Sequence, residues 1–88
     1  MPKYMVTYNQ PGYLPESEPI YADSVEEAIE AYRHVVEDIL EAGPLDTAGL
    51  KETILRFGGV AGTFATPEGI WYAVDIDLVP EGNGGGEI

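Results

Sequence analysis

The side chains in this sequence that could do chemistry are few, and most are carboxylates. Asp75 and Asp77 are two residues apart in Ile70-Trp71-Tyr72-Ala73-Val74-Asp75-Ile76-Asp77-Leu78-Val79. In an extended strand they share one face, roughly 7 Å apart. Carboxylates so paired can exchange a proton with a substrate or hold Mg²⁺. The same spacing arises where a solvent-facing or edge strand is kept apart from other strands by charge, and that is the reading adopted for this pair. His34, the sole histidine, has Glu30 and Asp38 one helical turn to either side. Three groups stacked along one helix span about 12 Å, too far to converge on one ion, so His34 reads as a solvated, carboxylate-flanked side chain. Gly58-Gly59-Val60-Ala61-Gly62-Thr63 superficially resembles a phosphate loop. It lacks the lysine and precedes a strand rather than a helix, so it reads as a helix stop and the start of a strand.

Nucleophilic catalysis needs a nucleophile, a base and a group that orients the base. The chain has no cysteine, and its one histidine falls on the polar side of a helix. No catalytic residue, metal ligand or cofactor is therefore expected, and the chain reads as something other than an enzyme.

Charge narrows the partners further. Sixteen acidic residues face four basic ones, a net charge of −12 over 88 residues. Direct binding to nucleic acid requires cations that this chain does not have, and anionic membrane surfaces are disfavoured for the same reason. The six tyrosines and Trp71 would suit base stacking only beside a basic groove, which is missing. No apolar run approaches the ~20 residues of a membrane span, and no basic amino-terminal segment precedes an apolar stretch as in a secretory leader. The expected location is the cytoplasm.

These residues must be positioned by a small α+β domain. Lys3 to Tyr8 alternates as a strand, with Tyr4, Val6 and Tyr8 on one face. Pro11, Pro15 and Pro19 with Gly12 exclude regular structure from the next stretch, which is expected to be a loop pinned by Tyr13 and Leu14. The best-determined element runs from Ser24 to about Ala42. Ser24 and Glu27 make a capping box, and Val25, Ala28, Ile29, Tyr32, Val35, Val36, Ile39 and Leu40 lie on one arc at 100° per residue. Gly43 and Pro44 supply the stop. A shorter helix, capped by Asp46 or Thr47, runs to about Phe57 with Leu50, Ile54 and Phe57 on one face, although Thr53 to Phe57 could instead be extended. Val60–Thr66 and Ile70–Val79 then form a hairpin across Thr66-Pro67-Glu68-Gly69. Ile70, Tyr72, Val74, Ile76 and Leu78 should face the helices, leaving Trp71, Ala73, Asp75, Asp77 and Val79 outside. The order β-α-(α)-β-β predicts a three-stranded, mainly antiparallel sheet with helices on one face. Residues 1–79 form one domain, and the glycine-rich residues 80–88 are expected to be a disordered tail.

Val6-Thr7-Tyr8-Asn9-Gln10-Pro11-Gly12-Tyr13-Leu14-Pro15-Glu16-Ser17-Glu18-Pro19, then Tyr21-Ala22-Asp23-Ser24 and Glu27-Ala28, resembles the start of small acidic accessory proteins of actinobacteriophages. An aromatic carboxy-terminal strand such as Trp71-Tyr72-Ala73-Val74 is similar to how many of them end. The likeness covers about half the chain, mainly residues 4–40. The stretch from Gly43 to Thr66 lies outside it. The resemblance implies a phage accessory protein in the cytoplasm of a bacterial host, and no activity, cofactor or catalytic residue.

Two functions fit these observations. The first is a protein-interaction module acting on a host protein, with Tyr13, Leu14 and Trp71 as its contact residues. The second is an acidic nucleic-acid mimic, in which Glu26, Glu30, Glu37, Asp38 and Glu41 repeat along the helix at a spacing close to that of phosphates along a strand. A small sheet with an open edge and an outward Trp71 also predicts a homodimer.

Overall fold

The computed structural model of the protein describes residues 3–13 and 18–79. It is an α+β fold in which β1 (Tyr4–Asn9), β2 (Ile20–Ala22), β3 (Gly59–Ala65) and β4 (Trp71–Leu78) form one antiparallel sheet in the order β2-β1-β4-β3. The three-stranded expectation is thus corrected to four strands. The missed strand, β2, is only three residues long and follows Pro19, too short to show an alternation of its own. Pairing with β1 makes it a strand, with Val6 opposite Ile20 and Tyr4 opposite Ala22. Residues 14–17 and 80–88, which include Leu14 and the expected tail, lie outside the described residues.

The first helix, α1 (Val25–Arg33), starts where the capping residues place it. The Ser24 hydroxyl accepts the Glu27 N–H at 3.2 Å, while the Glu27 carboxylate accepts the Asp23 N–H at 2.9 Å, one residue earlier than a standard capping box. Such a cap contributes about 1 kcal/mol. From His34 to Ile39 the coil widens to a π-helix. The Leu40 N–H reaches the Val35 carbonyl, and the Ala42 N–H reaches Val36. More residues per turn shift the phase of the apolar arc. Val35, Val36 and Leu40 are buried as expected, but Ile39 is turned out to 43 % exposure. The helical stretch ends before Gly43, and Glu41 takes the left-handed conformation at φ 55°.

The second helix, α2 (Leu50–Phe57), begins after the expected cap. Asp46 accepts the Ala48 N–H ahead of it, and Thr53 is helical rather than extended. Gly58, in the left-handed conformation, ends α2 and leads directly into β3. The β3–β4 turn forms as predicted: Gly69 stands at φ 88°, its N–H on the Thr66 carbonyl, and the Thr66 N–H on that of Ile70.

Both helices pack on one face of the sheet. Tyr4, Val6, Ala22, Val74 and Ile76 from the strands join Val25, Ala28, Tyr32, Val35, Val36, Leu40 and Ile54 from the helical segments in one core. Under the first helix β3 carries Gly62, where a β-carbon would stand 2.9 Å from the Tyr32 hydroxyl and 3.1 Å from the Phe64 ring. Tyr32 and Phe64 meet edge to face, with ring centroids 6.0 Å apart.

Candidate interaction surface

The face of the sheet opposite the helices is built by the same alternation that builds the core. Because Tyr72, Val74 and Ile76 point inward on β4, Trp71, Ala73, Asp75 and Asp77 point outward. No described element covers this face. Trp71 stands opposite Ala65, and Ala73 lies between Asn9 and Thr63, so the tryptophan has small neighbours across the ladder. It is 57 % exposed. Tyr21, paired with Met5, is a second exposed aromatic of the sheet.

Lower on β4, Asp75 lies between Thr7 and Ala61, and Asp77 between Met5 and Gly59. Burial, then the negative charge of Asp77, holds the Asp75 carboxyl above its usual range. Gly59 and Ala61 have almost no side chain to screen the two carboxylates from the β3 edge. With Phe57, Gly58 and Val60 they line a shallow open groove of about 370 Å³.

The acidic positions on the first helix do not form a free row. Glu26 pairs with Lys51 on α2 at 2.7 Å, and Glu30 with Arg33 at 2.7 Å. The Lys51 ammonium donates to Glu26 and holds its carboxyl below the usual value. Asp38 contacts His34 Nδ1 at 2.9 Å. Glu37 is half-buried and accepts the Leu45 N–H at 2.8 Å, tying down the loop after the helix. Glu41 has left the helix. His34 contacts one carboxylate rather than two, and among the described residues no three metal-ligating side chains come together.

Tyr13 is corrected. It is 68 % exposed and does not pin its loop to the body. The Asn9 side chain shapes that turn instead, donating to the Gln10 and Tyr13 carbonyls. The β1–β4 register nevertheless brings Tyr13 to the same end of the sheet as Trp71, since Asn9 faces Ala73. Phe57 is also corrected. Expected on the buried face of α2 with Ile54, it is 74 % exposed. Leu55, 100° round the helix from Ile54, is exposed too; that angular offset was a signal for it in the sequence.

No family model, no curated protein and no solved structure matches this chain.

Proposed function

We propose that this chain is a non-enzymatic protein-interaction module that binds a host protein through the open face of its sheet, with Trp71 as the anchor. The observation that carries the reading is the single tryptophan standing exposed at the start of a central strand, on a face that no described element covers. Large aromatic side chains on such surfaces supply much of the energy of protein association. Tyr13 at the same end of the sheet extends the contact. The resemblance of residues 4–40 to phage accessory proteins supports a bacterial host protein, met in the cytoplasm, as the partner. A charge of −12 keeps nucleic acid and anionic membrane away and favours a neutral or basic partner surface. No helix among the described residues is long and apolar enough to cross a membrane.

The test is capture from an actinobacterial lysate on the immobilised chain, read by mass spectrometry, beside Trp71→Ala. The wild type should hold a discrete protein that the variant, folded by circular dichroism, no longer holds. An identical set on both would refute Trp71 as the anchor.

A further inference from the structure

The two edges of the sheet differ. The β2 edge is three residues long, whereas the β3 edge is seven. β3 reads Gly59-Val60-Ala61-Gly62-Thr63-Phe64-Ala65, with no charge and no proline. Exposed edges are ordinarily blunted by a lysine, a proline or a shortened strand. Among the described residues nothing bonds to the backbone groups on the free side of β3. Such an edge accepts a further strand through main-chain hydrogen bonds, and the pockets for alternate side chains set which strand it takes.

The pockets here have a definite chemistry. A strand added beside β3 lies about 4.8 Å from it and about twice that from β4. Its outward side chains would run over Gly59 and Ala61 toward Asp77 and Asp75. A lysine or arginine has the length to cross, with its stem along the groove and its charge at the carboxylates. Shorter side chains would not reach. Asp75 and Asp77 form no salt bridge among the described residues. Phe57 closes the groove at the α2 end with an apolar wall.

We propose that the β3 edge binds an extended, basic segment of a partner protein as a fifth strand, its alternate lysine or arginine side chains lying across Gly59 and Ala61 onto Asp77 and Asp75. A second copy of the chain fits less well, because each copy has a charge of −12 and β3 offers no cation to meet the aspartates. The proposal rests on the reading of the chain as a protein-binding module. It concerns a different surface from Trp71 and is tested on the purified chain without any lysate.

The probe is a fluorescent, end-capped peptide of alternating lysine and valine, titrated with the full chain at several salt concentrations. Any cationic peptide is attracted to so acidic a protein, so the controls are matched in charge. Asp75→Asn with Asp77→Asn, and Glu30→Gln with Glu41→Gln, each remove two negative charges. The first pair should weaken binding at least about tenfold, the second less than about threefold. A peptide N-methylated at alternate residues, which keeps the charge but cannot bond along the edge, should also lose at least about tenfold. On binding, β3 amides should become protected from exchange and the Asp75 titration should move down. Equal losses in the two variant pairs, or full binding of the N-methylated peptide, would overturn the proposal. So would sedimentation of the free chain as a dimer with protected β3 amides, which would assign the edge to a second copy.

Discussion

One strand, β4, supplies both faces of this molecule. Val74 and Ile76 are fully buried beneath the helices, while Trp71, Asp75 and Asp77, in alternation with them, look out from the uncovered side. The inner face is apolar throughout and closely packed around Tyr32 and Gly62. The outer face mixes an exposed tryptophan, two carboxylates and small residues. On the proposed function, stability and contact fall to alternate residues of one strand. Changes at Val74 and Ile76 should act on folding, and a change at Trp71 on binding.

The largest contrast should come from truncating each face. Ile76→Ala removes a fully buried side chain from the core and should cost about 2–5 kcal/mol in denaturant unfolding. In a domain this small that consumes much of the total stability. Phe57→Ala, outside the core, should stay within about 0.5 kcal/mol of wild type. Comparable losses for the two would mean that Phe57 is packed after all.

Gly62→Val tests the inner face by filling it. Its side chain would meet the Tyr32 hydroxyl and the Phe64 ring, and such overpacking costs about 1–3 kcal/mol. The expected rescue is Tyr32→Phe, which withdraws the oxygen. Alone, Tyr32→Phe should be neutral or slightly stabilising, because the buried hydroxyl has no hydrogen-bond partner among the described residues. Burial, then the charge of Asp75, pushes the Tyr32 phenol up to about 12. The folded state therefore keeps a proton that the unfolded state gives up near pH 10. Its contribution is complete below about pH 10 and is lost as pH rises toward about 12, so Tyr32→Phe should flatten the alkaline limb of the stability curve.

A smaller effect belongs to the outer carboxylates. With its pKa raised, Asp75 holds its proton more firmly folded than unfolded. Stability should therefore fall as pH rises from the ordinary carboxylate range through the raised value. Asp75→Asn should unfold at a higher temperature than wild type at pH 7, and the difference should vanish by about pH 3, where carboxylates are protonated in both states. A lower melting temperature at pH 7 would show that the ionised carboxylate is stabilised by a contact.

Much of this arrangement is legible in the sequence, for physical reasons. Alternation in β1 and β4 and the apolar arcs of the two helical stretches are local, periodic signals, and of the buried core residues only Ala22 lies outside them. The Ser24–Glu27 cap and the Thr66–Gly69 turn depend on side chains and backbone angles that their own residues dictate. What escapes the sequence is set by tertiary structure. β2 exists because β1 pairs with it, and Ile39 is exposed because a π-turn shifts the helical phase. Phe57 faces solvent because Gly58 turns the chain straight into β3. At the site, Trp71 and the aspartate pair follow from strand parity alone. Their exposure to a long free edge requires the order β2-β1-β4-β3, which local pattern does not contain.

We propose that partner contact belongs to the open side of the sheet and not to the acidic helix. This is tested most directly by measuring capture of the host protein by Trp71→Ala and by the combined variant Glu30→Gln, Glu37→Gln and Glu41→Gln, each with and without duplex DNA as competitor. Trp71→Ala should lose at least about tenfold in affinity, as expected of an anchoring aromatic, and the glutamine variant should bind like wild type with no competition from DNA. Loss of binding in the glutamine variant, retention in Trp71→Ala and displacement by DNA would contradict the account and make the acidic helix a mimic of nucleic acid.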